Sequence, residues 1–165
     1  MKTTFYFGSN FKMHQTPDET VLFIESLRQI AARPSQYGQS SAQLFLIPPF
    51  TSLTVAAKAL MGSGIWLGAQ NMHWADSGAH TGEISPAMLS AIGVDLVMLG
   101  HAERRSQFGE TDAALRLKVN AAIRHDLRVL LCVGENAEQR SSQIAAETVA
   151  IQLKVALADL DAAYL

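Results

Sequence analysis

Leu96-Val97-Met98-Leu99-Gly100-His101-Ala102-Glu103-Arg104-Arg105 holds a change of structure within one short stretch. Leu96 to Leu99 is apolar on both faces, as a strand covered on both sides must be, and it is too short for a helix. Gly100 ends the run, His101 follows, and Ala102 to Arg105 can begin a helix. A buried strand that hands over to a helix, with polar groups at the junction, is the unit of parallel α/β sheets.

The same alternation extends in both directions. Toward the N-terminus, Thr4 to Ser9 reads as a first buried strand. Thr16 or Asp18 caps a helix with Pro17 in its first turn. Its apolar positions Val21, Leu22, Ile24, Leu27 and Ile30 recur at helical spacing, leaving Glu25, Arg28 and Gln29 outside. Pro34 to Ser41 is a loop, and Leu44 to Ile47 is a second strand, stopped by Pro48-Pro49. A helix starts at Thr51 or Ser52, and Ile65 to Gly68 is a third strand. A long loop, Ala69 to Glu83, leads into a short helix over Pro86 to Ile92. Beyond the opening stretch come a helix over Asp112 to His125 and a fifth strand over Arg128 to Val133. A helical tail follows over about Ala137 to Ala163, with Ile144, Val149, Ile151, Val155, Leu157 and Leu160 as its core positions. The expectation is one α/β domain with five parallel strands over residues 1–165. A doubly wound sheet gives the same alternation, but no G-x-G-x-x-G follows the first strand.

Composition narrows the function classes. Of 165 residues, 48% are hydrophobic and 17% charged, with a formal net charge of −2. Such a chain carries no general field for nucleic acid or an anionic membrane surface, so an anionic ligand needs a few local donors. No apolar run approaches the ~20 residues of a membrane span. The first residues lack the pattern of a signal peptide. One cysteine, Cys132, cannot close an internal disulfide and suits a reducing cytoplasm. His73 and His80 have no companion at metal-ligand spacing, so no metal is expected.

Polar motifs stand at the carboxyl ends of predicted strands: Ser9-Asn10-Phe11-Lys12-Met13, Gly68-Ala69-Gln70-Asn71, Leu99 to Arg105, and Cys132-Val133-Gly134-Glu135. That is the edge on which α/β barrels build active sites. Singly, each has an ordinary explanation. Lys12 reads as a solvated loop cation, His101 as a satisfied polar residue, and Arg104 and Arg105 as a charged helix face. Glu110 and Glu135 read as structural, and Cys132 as a small buried residue.

In this order, the motifs resemble the triosephosphate isomerase family. Its first strand ends in Asn-aromatic-Lys-Met, and its fourth in Gly-His-small-Glu-Arg-Arg followed by Phe-Gly-Glu, here Phe108-Gly109-Glu110. Thr81-Gly82-Glu83-Ile84-Ser85-Pro86 extends the likeness. Ile47 to Thr51 and Gln70 to Asp76 also resemble the branch that isomerises erythrulose phosphate. Phe11 replaces the usual Trp, Ala102 the usual Ser, and His14 a common Asn.

The resemblance implies a TIM (β/α)8 barrel fold and a cofactor-free aldose–ketose isomerase. The reaction would interconvert glyceraldehyde 3-phosphate and dihydroxyacetone phosphate, within cytoplasmic carbohydrate metabolism (glycolysis and gluconeogenesis). The implied alternatives are a four-carbon ketose phosphate as substrate, or a non-catalytic sugar-phosphate-binding or assembly module. Lys12 would be the cation beside phosphate and oxyanion, and Asn10 a neutral donor next to it. His101 would be the electrophile, and Glu103 would hold Lys12. A homodimer would form through the 69–83 loop, with the Thr81 region reaching the partner's Lys12 site. The family's base is a Glu in an Ala-Tyr-Glu-Pro-Val-Trp-like segment on a sixth strand, and these 165 residues contain no such segment. The expectation is therefore an incomplete barrel of five β/α units, inactive by itself. It would be either a piece of an isomerase or one part of a split barrel that gains its Glu from another chain.

Overall fold

The computed structural model describes residues 4–31 and 41–161. The connection expected at 34–40 and the residues 163–165 lie outside them, while Ser41 opens a strand. The elements run β1 (Thr4–Asn10), α1 (Pro17–Ala31), β2 (Ser41–Ile47), a 3-10 turn (Phe50–Ser52), α2 (Leu53–Leu60), β3 (Trp66–Ala69), α3 (Pro86–Ala91), β4 (Leu96–Leu99), α4 (Ala102–Gln107), α5 (Asp112–Arg124), β5 (Arg128–Leu131), α6 (Ala137–Ser141) and α7 (Ala145–Ala156). The strands form one sheet in the sequential order β1-β2-β3-β4-β5. β1 pairs parallel with β2 from Thr4↔Ser41 to Asn10↔Ile47, and β2 pairs parallel with β3 at Phe45↔Trp66 and Leu46↔Leu67.

Described residues within 1–70 and 88–96 form one compact unit. Of the two candidate caps for α1, Thr16 does the work. Its hydroxyl accepts the Glu19 N–H at 3.4 Å, and the Glu19 carboxylate accepts the Thr16 N–H at 2.7 Å and hydroxyl at 2.9 Å. Those bonds, the backbone one first, hold the Glu19 carboxyl below its ordinary value. Thr20 and Ile24 form the fully buried stripe of α1, whereas Leu22 and Ile30, expected in the core, are exposed. Arg28, expected to be solvated, sends Nη1 to the carbonyls of Ala59 (2.5 Å) and Met61 (3.1 Å), which satisfies orphan carbonyls at the end of α2. Asp95 accepts the Leu67 N–H with its side chain and donates its own N–H to the Leu67 carbonyl, both at 2.8 Å.

The expected burial of β1 is corrected. Phe5, Tyr6 and Phe7 are 50%, 62% and 58% exposed, because β1 is an edge of the sheet whereas β3 and β4 lie inside it. Edge position, not composition, decides which apolar strands are covered.

Residues 71–87 and the described residues from 97 onward form the second unit. Cys132 N–H donates to the Leu99 carbonyl at 2.8 Å, linking the carboxyl ends of β4 and β5. The tail expected as a single helix is two. Asn136 and Gln139 close a capping box on α6, Gln143 turns the chain with φ +58°, and α7 starts after it. Ile144 and Ile151 are exposed, and the buried stripe of α7 is Thr148, Gln152 and Ala156, spaced by four.

Candidate active site

At the carboxyl end of β1, Asn10 is the last strand residue and Phe11 turns inward. Phe11 is buried edge-on against Phe23, with ring centroids 5.1 Å apart, so the apolar task of this aromatic position is met by a smaller ring than Trp. Its N–H donates to the Ile47 carbonyl at 3.0 Å. Lys12 then sits in the left-handed region with φ +56°, a costly conformation for a side chain branching from an L-residue. Two amides hold it there. Asn10 Oδ1 accepts the Lys12 N–H at 3.0 Å, and Gln70 Nε2 donates to the Lys12 carbonyl at 2.7 Å and the Ile47 carbonyl at 3.3 Å. Nothing in the sequence around Gln70 signals this tether. A backbone strained and pinned from two sides aims the side chain that follows from it.

At the carboxyl end of β4, His101 is the N-cap of α4. Its Nδ1 accepts the Glu103 N–H at 3.2 Å, and Glu103 Oε2 lies 3.4 Å from the same nitrogen. A backbone N–H only donates, so Nδ1 presents its lone pair and a neutral ring carries its proton on Nε2. Sequence reasoning tied Glu103 to Lys12 alone and did not anticipate this contact with His101.

Beneath His101 lies a buried ionic network. Lys118 Nζ bonds the Glu110 carboxylate and donates to Asn71 Oδ1 at 2.8 Å. The other Glu110 oxygen accepts the Gly100 N–H at 3.1 Å, and Arg104 Nε stands 3.4 Å from Glu110 Oε1. Lys118 and Glu110 side chains are 6% and 2% exposed, so each charge depends on the other. Gly100 has φ +76°, and a Cβ there would stand 2.8 Å from the Cys132 carbonyl oxygen. Only glycine fits. Arg105, which by itself reads as part of a charged helix face, instead donates to Gly100 O, Cys132 O and Asp112. A 260 Å³ pocket beside His101 is lined by Cys132 to Glu135, and Cys132 is half-buried on its wall. Gln152 of α7 pins that wall, accepting the Gly134 N–H at 2.8 Å and donating to its carbonyl at 3.0 Å. The Glu135 carboxyl is held below its ordinary value by its own backbone N–H first, then by Arg140.

The 71–83 segment is ordered by its own rings. His73 stacks on Trp74 and on His80, each with centroids 4.1 Å apart, and its Nδ1 accepts the Ala75 N–H at 2.9 Å. Burial, reinforced by His80 and Lys118 and opposed by Glu83, pushes the His73 ring below its ordinary value. These rings border a 380 Å³ cavity with Arg104, Phe108 and Lys118 on its other wall. Among the described residues, no three His, Cys, Asp or Glu side chains gather as a metal site, and no helix is long and apolar enough to cross a membrane.

The triosephosphate isomerase family model matches residues 5–165. An L-erythrulose-1-phosphate isomerase of Brucella abortus is 46% identical over 161 residues, covering 98% of this chain and 61% of its own length. A triosephosphate isomerase of Caldanaerobacter subterraneus subsp. tengcongensis is 45% identical over 150 residues, covering 91% and 58%. The crystal structure of triosephosphate isomerase from Bartonella henselae aligns with a TM-score of 0.84 at 33% identity, over 98% of this chain and 64% of its own. The chain spans about three fifths of the length of the curated relatives it matches. Its fold is that of the TIM barrels, with five β/α units among the described residues.

Proposed function

This chain belongs to the triosephosphate isomerase family, and from that premise we propose that it carries the electrophilic half of a sugar-phosphate isomerase site. The parent reaction is the interconversion of glyceraldehyde 3-phosphate and dihydroxyacetone phosphate, in the cytoplasm and without a cofactor. Moving a proton between adjacent carbons needs a base, plus donors and a cation for the enediolate. Lys12 supplies the cation for phosphate and developing oxyanion, and Asn10 a neutral donor. His101 polarises the carbonyl and passes a proton between the two oxygens, and Glu103 orders the neighbouring charges.

The observation that best supports this reading is the His101 cap. With Nδ1 accepting the Glu103 N–H, the neutral ring offers Nε2–H as a donor, which is what an electrophile needs. Within 165 residues there is no Ala-Tyr-Glu-Pro-Val-Trp-like segment to carry the family's base. Lack of a placed base costs about 10²–10⁴-fold, or ~3–5 kcal/mol of barrier, so these residues alone turn over little substrate.

A four-carbon ketose phosphate is the second reading. It draws on the 46% identity to the Brucella enzyme and on the Gln70 to Asp76 stretch. Self-association through the 69–83 loop belongs to the proposal too, supported by the ring stack that gives this loop a fixed surface.

The test compares kcat/KM for triose and erythrulose phosphates in a parent-length protein, with Lys12→Met and His101→Gln beside it. The reading expects one sugar phosphate to be isomerised and both substitutions to lower kcat/KM by about 10²-fold or more. Unchanged rates in both variants would sink the assignment of roles.

A further inference from the structure

We propose that Arg105 is a positioning residue for His101. The proposal rests on the reading of His101 as the electrophile, and it names a residue through which that ring is held.

Arg104 and Arg105 are neighbours on a short helix, so their side chains leave it about 100° apart. Arg104 turns to Glu110 and lies over the Phe108 ring, with Cζ 5.2 Å from its centroid. Arg105 turns back toward the strand from which its own helix springs. Its Nε donates to the Gly100 carbonyl at 2.8 Å, its Nη2 to the Cys132 carbonyl at 3.2 Å, and its Nη1 to Asp112 Oδ1 at 2.6 Å. One planar fork therefore joins the residue after β4, the residue after β5 and the first residue of α5.

Those carbonyls follow the last strand residues, and a buried carbonyl left without a donor costs free energy. The fit is close: a Cβ on Gly100 would stand 3.0 Å from Arg105 Nη2 and from Leu115 Cδ1. His101 is the next residue, and its ring direction depends on where the Gly100 peptide points and on the first turn of α4. Arg105 fixes the first through Gly100 O, and its own N–H donates to the His101 carbonyl at 3.1 Å in the second. With Asp112 balancing its charge, the guanidinium acts by geometry. A lysine there has a point charge in place of the fork and cannot reach all three acceptors in one arrangement.

The experiment is ¹⁵N-imidazole NMR on the 165-residue chain in mildly alkaline buffer, with the His101 signals assigned by comparison with His101→Gln. The wild-type chain is expected to show a single neutral form, with Nδ1 unprotonated and Nε2 protonated. Arg105→Gln should lose that single-tautomer signature, giving averaged nitrogen shifts, and Arg105→Lys should lose it in part. Asp112→Asn keeps both carbonyl contacts and should retain the signature, as should Arg104→Gln. If Arg105→Gln does not fold, Arg105→Lys decides. Wild-type His101 signals in folded Arg105 variants would reduce Arg105 to a purely structural clamp and overturn the proposal. No substrate enters this measurement, so an inactive parent protein would refute the isomerase reading and leave the positioning result standing.

Discussion

The carboxyl ends of β1 and β4 each present one candidate functional side chain, and they are held in opposite ways. Lys12 is a non-glycine residue in the left-handed region, restrained by two neutral amides, Asn10 and Gln70. His101 follows a left-handed glycine and stands over charged groups, with Lys118, Glu110, Arg104, Arg105 and Asp112 all in use. The first arrangement stores strain at Lys12, the proposed cation. The second avoids strain and relies on buried charge. The first should therefore gain stability when its strained residue is replaced by glycine, and the second should lose it when a support is removed.

The largest expected effect tests the second half of that contrast. Lys118→Met leaves the Glu110 carboxylate without its buried partner and should destabilise the protein by about 3–5 kcal/mol, read from the midpoint of denaturant unfolding. A loss below ~1 kcal/mol would mean the network is replaceable. Next in size is Gly100→Ala, which sets a Cβ against the Cys132 carbonyl in a left-handed backbone and should cost about 1–3 kcal/mol. Lys12→Gly should do the reverse and stabilise by about 1 kcal/mol while removing the proposed cation. A neutral or destabilising result there would show that Lys12 is under no strain.

The smallest effect is a pH dependence in the ring stack. The folded His73 ring holds its proton less tightly than the unfolded one, chiefly because it is buried. As pH falls, the unfolded chain takes up the proton first. This contribution to stability is therefore complete above about 6.5 and declines as pH drops from there to the folded value. His73→Phe keeps a ring for stacking and removes the proton, so its stability should vary less with pH over that interval. Parallel curves for the two proteins would dismiss the stack as a source of pH sensitivity.

The same contrast marks what could be read from the sequence. The strand–helix alternation and the polar residues after β1 and β4 were legible, because short apolar runs and glycine breaks record them directly, whereas the strand order appears only in the structure. Burial was legible only where composition and position agree. Phe5, Tyr6 and Phe7 look like core residues and are exposed on an edge strand. Thr148 and Gln152 look like surface residues and are buried, Gln152 because both ends of its amide serve Gly134. Arg105 was ambiguous for a related reason. Two adjacent arginines on a helix look alike in sequence, and only the positions of Gly100, Asp112 and Cys132 in space separate them.

The most direct test of the account concerns the division of labour it assigns to these residues. The rate of glyceraldehyde 3-phosphate isomerisation should be measured for the 165-residue chain beside the same chain extended by the remaining length of its relatives, including the Glu-Pro-Val-Trp-type segment. The account predicts a rate near that of buffer for the shorter chain and a gain of at least 10²–10⁴-fold for the longer, roughly the share of a placed general base. Near-equal rates would contradict it, and would direct attention to Glu103 and Glu135 as replacement carboxylates.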